Sequence, residues 1–264
     1  MNQYVKASVL KLGVKQKNGK TVLTDTYFTP PLKILKPFYN EDNSMMKLCL
    51  MNVSAGVLEG DSYNIYVNLG EHTSLELYSQ SYTKIFKMNG GTASQTMNID
   101  MQQCSTLAYM PHPIMPFGNS SFSGETNINL KKDCKLFYRE IISCGRYKRD
   151  EVFDFVSFKA RTKICCEGKL LFMDNTVLEP EEQDIQGMGL YENYTHQANF
   201  IIYNEKVNEE LKNNLAEFLN SYKNIEFGAS VSFEGGIVIR ILGKSSESLR
   251  NITDEIYKYT NNII

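Results

Sequence analysis

Residues 65–77, IYVNLGEHTSLEL, contain two alternating apolar runs separated by a short polar turn. The same arrangement recurs at residues 97–109, MNIDMQQCSTLAY, and at residues 126–138, TNINLKKDCKLFY. Alternation of apolar and polar side chains is typical of half-buried β-strands, so each stretch predicts a strand, a turn and a second strand. We therefore expect a chain that contains at least three similar strand-turn-strand units.

The spacing of these units points to a repeat of about 30 residues. Their leading strands end at Leu69, Met101 and Leu130, and a weaker fourth copy surrounds Ile164 and Leu171. Stacking would explain such a repeat, because one unit cannot bury its apolar face alone. An ordinary β-meander with evenly spaced hairpins explains the pattern equally well, and both interpretations predict a mainly β fold.

The C-terminal part of the chain has helical periodicity instead. Between residues 205 and 223, apolar side chains recur at helical spacing at Val207, Leu211, Leu215, Phe218 and Tyr222. A strand pair is predicted around residues 229–242 with its turn at Gly235-Gly236. Ser245 and Ser246 are candidate caps for a second helix, whose apolar positions are Leu249, Ile252 and Ile256.

These patterns together predict one domain over residues 1–264. Its β body of stacked strand-turn-strand units, resembling a β-helix, spans about residues 1–205. A part with two C-terminal α-helices spans about residues 206–264, and no flexible linker separates the two.

Composition and charge exclude several classes of protein. The 264 residues are 42% hydrophobic and 22% charged, which is ordinary for a globular chain and argues against extended disorder. A formal net charge of -2 lacks the positive excess that phosphate binding relies on, so no nucleic-acid partner is expected. The sequence contains neither an apolar run near 20 residues nor a secretion signal, which predicts a cytoplasmic protein without membrane contact.

Standard catalytic and metal-binding motifs are missing from the sequence. The three histidines, His72, His112 and His196, do not match a nucleophile elbow or a metalloprotease motif. Six scattered cysteines include no C-x-x-C pair, so neither a zinc site nor a disulfide framework is indicated and buried thiols are expected.

Glu140 is the most informative acidic residue, because it lies inside a strand pattern. In residues 136–142 it has the same parity as apolar side chains, so it is expected to face inward with them. A buried carboxylate without a partner is costly, so it must take up a proton or find water, a cation or a base such as Arg139 or Arg146.

Further candidates occupy the ends of other predicted strands: Asp61, Thr83, Lys84, Asp174 and Glu179. For any single acidic residue a turn cap or a structural salt bridge is the preferred explanation, and only the set as a whole supports a functional hypothesis. For Lys84 a solvated strand edge is the plain alternative.

Several stretches share an order and spacing that are more specific than any one motif. They are TPPLKILKPFY at 29–39, NVSAGVLEGD at 52–61, SQSYTKIF at 79–86, PHPIMPF at 111–117, FYREIISCGR at 137–146 and LLFMDNTVLEP at 170–180. In this order they resemble the urease accessory protein family called UreD, or UreH in some lineages. The similarity covers nearly the whole chain.

The resemblance implies a chaperone of urease maturation without catalytic activity of its own. The implied partners are apo-urease, UreF, and the nickel-binding GTPase UreG docked through UreF, with two copies of this chain in a UreF-bridged assembly. No cofactor is implied to bind tightly, and Ni²⁺ is a transient cargo. The implied fold is β-dominated, with helix-like stacking of strands and two helices near the C-terminus.

The resemblance also implies an interior polar passage for Ni²⁺. Motif matching places four residues along it: Asp61, Thr83, Glu140 and Asp174. Oxygen donors suit such a role, because thiolates and imidazoles would hold Ni²⁺ too firmly to release it. Three further residues are expected to position this lining or stabilise the structure around it: Lys84, Arg146 and Glu179.

Two other classes of function stay open at this level. In a β-solenoid enzyme acting on carbohydrate, two of the carboxylates would serve as the paired acid and base. The lack of tryptophan, the commonest sugar-stacking residue, argues against it. A binding module without any metal is the third possibility.

Overall fold

The three repeated stretches stack as consecutive turns of a parallel β structure. A computed structural model describes residues 7–41, 44–232 and 235–264. In it Leu69 pairs with Met101, and Met101 with Leu130, in parallel register. The repeat read from the sequence is therefore the length of one turn, and the stacked interpretation is confirmed over the meander.

The described residues form short and long strands, one 3-10 helix and two α-helices. The strands of the first half are β1 (Ser8–Lys17), β2 (Lys20–Phe28), β3 (Leu32–Ile34), β4 (Phe38–Tyr39), β5 (Met46–Asn52), β6 (Ser62–Leu69), β7 (Ser74–Ser79), β8 (Thr83–Ile85), β9 (Ala93–Met101), β10 (Thr106–Tyr109) and β11 (Ile114–Pro116). The elements that follow are β12 (Ser121–Leu130), β13 (Lys135–Ser143), the 3-10 helix (Tyr147–Arg149), β14 (Ser157–Cys166), β15 (Lys169–Leu178), β16 (His196–Tyr203), α1 (Glu209–Asn220), β17 (Glu226–Ser232), β18 (Gly236–Gly243) and α2 (Ser246–Asn261).

Two sheets form the body. In the first sheet, β1, β6, β9, β12 and β14 run parallel, with β2 and β15 antiparallel at its two edges. In the second sheet, β5, β7, β10 and β13 run parallel, and β16, β18 and β17 continue it in antiparallel fashion. The short strands β8 and β11 pair with each other, and β11 also pairs with β13, so both belong to the second sheet. The result is a mainly β chain whose body is a β-solenoid of about four turns.

The fourth copy of the repeat is only half formed. Ile128 pairs with Ile164 in parallel register, so β14 adds a further strand to the stack. The chain then reverses at Glu167 and Gly168, both of which have positive φ, and β15 returns antiparallel to β14. The second strand of this copy therefore extends the first sheet instead of joining the second.

Apolar side chains fill two layers, one on each face of the second sheet. The layer shared by the two sheets includes Leu12, Val67, Ile99, Leu136 and Tyr138. The layer between the second sheet and the helices includes Phe137, Phe200, Leu215, Ile239 and Ile252. Successive residues of β13 thus alternate between the two layers, as the period of a strand requires.

Both predicted C-terminal helices are confirmed. The Oδ1 atom of Asn208 accepts a hydrogen bond from the backbone of Leu211 at 2.9 Å and caps α1. Ser245 caps α2 by accepting from the backbone of Ser248 at 3.4 Å. The predicted strand pair is present as β17 and β18. Of the predicted turn, Gly235 has a positive φ of 83°, and Gly236 is already the first residue of β18.

Other sequence-based expectations have mixed outcomes. Cys49, Cys134, Cys144 and Cys165 are buried, while Cys104 and Cys166 are partly accessible. No helix in residues 7–41, 44–232 and 235–264 is both long and apolar enough to cross a membrane. The division into a β body and a helix-containing end of a single domain stays a prediction.

Candidate functional site

A partly enclosed cavity of about 170 Å³ lies against residues of both sheets and of β8. Its polar lining includes Tyr63, Thr83, Tyr109, Tyr138 and Glu140. Tyr63 comes from the first sheet, and the tyrosines at 109 and 138 come from the second, with ring centroids 5.6 Å apart. The cavity therefore gathers hydroxyl and carboxylate oxygens from distant parts of the chain.

Glu140 faces this interior, as its strand parity predicts. The phenol of Tyr138 donates a hydrogen bond to its Oε2 atom at 3.4 Å, and the same phenol oxygen lies 3.2 Å from the hydroxyl of Thr162. Burial and, in addition, the negative charge of Asp174 raise the pKa of Glu140 to about 7. The side chain is therefore close to half-protonated at neutral pH.

The expectation that Arg139 or Arg146 serves as the basic partner of Glu140 is wrong. Arg139 has the opposite parity on β13, so its guanidinium lies beneath α2 and pairs with Asp254. Arg146 forms a two-point ion pair with Glu151 and stacks over the ring of Phe117. The cation that does act on Glu140 electrostatically is Arg240.

Asp174 belongs to a group of polar side chains that we call the interior cluster, made of Glu140, Asp174, Asn199 and Arg240. Each comes from a different strand: β13, β15, β16 and β18. The Asp174 carboxylate accepts from Arg240 Nη2 at 2.9 Å and from Asn199 Nδ2 at 3.2 Å. Arg240 Nε also donates to Asn199 Oδ1 at 3.1 Å. Asn199 lies opposite Glu140 in the register of β13 and β16, which brings Glu140 into the same group.

Thr83 and Glu140 are among the described residues that line the cavity, and Asp61 is not. The Oδ2 atom of Asp61 accepts hydrogen bonds from the backbone of Leu58 at 2.8 Å and from the phenol of Tyr63 at 2.6 Å. The carboxylate thus caps a turn and reaches the cavity only through Tyr63. Burial and the hydrogen bond to Asp61 raise the pKa of Tyr63.

The three residues expected to support the site have separate surroundings. Lys84 is exposed on β8 but also borders the cavity. Glu179 accepts from the hydroxyl of Ser157 at 3.2 Å and pairs with Lys159 at 2.7 Å. Arg146 is fixed by its pair with Glu151, so it and Glu179 hold the loops and strand ends around the solenoid.

Metal capture by a preformed cage is not apparent in the part of the chain that the structure describes. No three side chains of His, Cys, Asp or Glu there lie close enough together to hold a metal ion. The cavity instead presents separate hydroxyl and carboxylate oxygens, among them those of Thr83, Tyr138 and Glu140.

Comparison with known proteins bears directly on this site. A family model described as UreD urease accessory protein matches residues 6–264. The chain is 38% identical over 251 residues to the urease accessory protein UreD of Acetivibrio thermocellus, which covers 95% of this chain and 96% of the relative. It is 32% identical over 265 residues to the urease accessory protein UreH of Helicobacter pylori strain G27, which covers 100% of this chain and 98% of the relative.

The chain belongs to the UreD urease accessory protein family. It is also 37% identical over 250 residues to UreH of Helicobacter hepaticus, with 94% of this chain and 96% of that protein covered. Membership of this family selects urease maturation over the carbohydrate-active alternative.

Two members of the interior cluster were not among the residues predicted for this UreD-family chain. Arg240 lies in the apolar run of β18, and Asn199 lies in the apolar run of β16. The signal that identified Glu140, a polar residue sharing parity with apolar neighbours, is present at both positions. It could have found them, although it could not have shown that Asp174 is their common partner.

Proposed function

We propose that this protein is a non-catalytic chaperone that binds apo-urease and, with UreF and the GTPase UreG, delivers Ni²⁺ through its polar interior. It would act in the cytoplasm, with two copies in a UreF-bridged assembly. Family membership supports the accessory role, and the observation that carries the passage is the cavity shared by Thr83 and Glu140 beside the interior cluster.

The chemistry of the lining suits transfer better than storage. Carboxylate and hydroxyl oxygens bind Ni²⁺ less firmly than thiolates and imidazoles do, so an ion passing Thr83 and Glu140 is not trapped. Carboxylates near a narrow interior also raise the local concentration of cations. Glu140, with a pKa of about 7, can exchange its proton for a cation at small cost near neutral pH.

The residues beyond the cavity have graded roles in this proposal. Asp174 would provide a second carboxylate beside Glu140. Asp61 would orient the Tyr63 phenol that lines the cavity, since its own carboxylate is engaged in a turn. Lys84, Arg146 and Glu179 would stabilise the surroundings without contacting the ion.

Urease activation tests the passage directly. Apo-urease, UreF, UreG, GTP and Ni²⁺ are combined with native protein or with Glu140→Gln, and both urease activity and nickel content per urease are followed. We expect Glu140→Gln to slow nickel delivery several-fold while the complex with UreF still forms. Glu167→Gln, which removes an exposed carboxylate paired with Lys131, is the matched control and is expected to deliver nickel at the native rate.

The same assay separates the alternatives. Native delivery by an intact Glu140→Gln complex would show that Glu140 lines no passage. Loss of the complex itself would indicate a structural role. If the protein supports activation while Glu140→Gln, Thr83→Val and Asp174→Asn all behave as native, the chain is a binding module that does not handle the metal.

A further inference from the structure

Arg240 and Asp174 form an ion pair at the solvent side of the interior cluster. Arg240 Nη2 lies 2.9 Å from Asp174 Oδ1, and the side chains are 49% and 21% exposed, respectively. The same guanidinium holds Asn199 Oδ1 at 3.1 Å, and Asn199 in turn donates to the other carboxylate oxygen of Asp174. Both oxygens of Asp174 are therefore occupied.

Arg240 compensates the charge of Asp174 when no cation is bound. Asn199, which hydrogen-bonds to both side chains, lies opposite Glu140 in the register of β13 and β16. Withdrawal of the guanidinium would leave the Asp174 carboxylate without a counter-ion beside the carboxyl group of Glu140. Two neighbouring carboxyl groups are suitable oxygen ligands for one divalent cation.

Arg240 has the freedom that such an exchange requires. Half of its side chain is exposed, so a rotation toward solvent allows water to replace its hydrogen bonds. Opening a fully buried ion pair would instead leave an uncompensated charge in the interior, at a large cost in free energy. The Arg240–Asp174 ion pair can therefore form in the absence of a cation and can still separate at moderate cost.

An unsatisfied hydroxyl lies in the apolar layer between the two sheets. Tyr191 is 3% exposed, its ring packs against that of Phe153 with centroids 4.9 Å apart, and its hydroxyl makes no hydrogen bond with any residue that the structure describes. A buried hydroxyl without a partner is costly, and a water or ligand oxygen that reached it would remove that cost.

We infer that Arg240 is an internal counter-ion that occupies the cation position beside Asp174 and Glu140 and must move toward solvent before a divalent ion can enter. The inference rests on the proposed function, because it concerns access to the same interior. It adds a residue that controls how firmly the interior holds a cation.

Equilibrium binding of Ni²⁺ to the purified full chain tests this assignment. We expect Arg240→Gln to tighten binding about tenfold, because one competing positive charge is removed from a partly buried site. The double variant Arg240→Gln with Asp174→Asn is expected to return to within about twofold of native affinity. Arg240→Lys keeps the charge and is expected to stay near native.

Lys159→Gln is a matched control. Lys159 pairs with Glu179 at 2.7 Å with side-chain exposures of 48% and 26%, close to those of the Arg240 pair, but outside the interior cluster. Freeing Glu179 is therefore expected to leave Ni²⁺ affinity within about twofold of native. If Arg240→Gln is poorly folded by circular dichroism, Arg240→Met, which preserves the aliphatic stem, replaces it.

The possible outcomes separate this inference from the proposed function. Native affinity in Arg240→Gln, equal tightening in Arg240→Lys, or tightening that persists with Asp174→Asn would each overturn the counter-ion role. Those results combined with slow delivery by Glu140→Gln would leave the passage standing. Unchanged delivery by Glu140→Gln would reject the passage even if Arg240→Gln binds Ni²⁺ more tightly.

Discussion

Arg139 and Glu140 are adjacent on β13 and project from opposite faces of it. The Arg139 guanidinium donates to the backbone carbonyls of Met110 at 2.9 Å and Pro111 at 3.0 Å and pairs with Asp254 of α2. Glu140 instead faces the cavity between the sheets. One strand therefore separates a structural charge from a candidate functional one, and the two can be tested independently.

Replacing Arg139 with Met is expected to destabilise the fold by about 3 kcal/mol. The change removes the Arg139 donor from the buried carbonyl of Met110, from the partly buried carbonyl of Pro111 and from Asp254, which keeps only its longer pair with Arg250 at 3.3 Å. Loss of one partner from a largely buried charged network is strongly unfavourable. Urea unfolding followed by circular dichroism measures the effect. Lys131→Met, which breaks an exposed pair with Glu167, is expected to cost less than about 1 kcal/mol; equal losses in the two variants would contradict the role assigned to Arg139.

Glu140→Gln is expected to be stabilising at high pH and nearly neutral at low pH. The folded protein holds the Glu140 proton up to about pH 7, whereas an unfolded chain releases it near pH 4.5, the ordinary pKa of a glutamate side chain. The contribution of this proton to the free energy of unfolding is therefore fully present below pH 4.5 and is lost as the pH rises through 7. Gln resembles the protonated form, so the variant should exceed native stability by up to about 3 kcal/mol at pH 8.

Urea midpoints at pH 4.5 and pH 8 measure this difference. Parallel pH profiles for native protein and Glu140→Gln would show that burial does not hold the proton on Glu140.

Gly56→Ala is expected to destabilise the protein, and Gly228→Ala is not. A Cβ at Gly56 would approach the carbonyl oxygen of Lys84 to 2.6 Å and overlap the ring of Phe86. Such overpacking costs about 1–3 kcal/mol. At Gly228, on the exposed face of β17, a Cβ would meet no atom within 4 Å, so alanine should gain about 0.5 kcal/mol from reduced backbone entropy. The midpoint of thermal unfolding should therefore fall for Gly56→Ala and rise slightly for Gly228→Ala, and a Gly56→Ala midpoint at or above the native value would show that the contacts at Gly56 do not restrict a side chain.

The repeat and the orientation of Glu140 could be predicted from the sequence because both depend on local periodicity. Alternation fixes which residues of a strand share a face, so the inward direction of Glu140 followed from residues 136–142 alone. The spacing between Leu69, Met101 and Leu130 likewise equals the length of one turn of the stack. Helical spacing and a capping serine were sufficient for α1 and α2.

Pairing between remote strands could not be predicted in this way. Asp174 reaches Arg240 only because β15 reverses at Glu167 and Gly168 and because β18 lies next to β16 in the second sheet. Neither the reversal of the chain into β15 nor the pairing of β18 with β16 produces a periodic pattern in the sequence. The local role of Asp61 could not be predicted from the sequence either. Only the distances from its carboxylate to the backbone of Leu58 and to the phenol of Tyr63 show that it caps a turn.

Packing is expected to stabilise α1 more than its cap does. Leu215 is completely buried between α1 and the second sheet, so Leu215→Ala should cost about 2–5 kcal/mol by leaving a cavity. Asn208→Ala removes one hydrogen bond at the start of the same helix and should cost about 1 kcal/mol. Urea unfolding of both variants measures the two losses in the free energy of unfolding. If Asn208→Ala is less stable than Leu215→Ala, the N-cap hydrogen bond contributes more to the stability of α1 than its packing against the second sheet does.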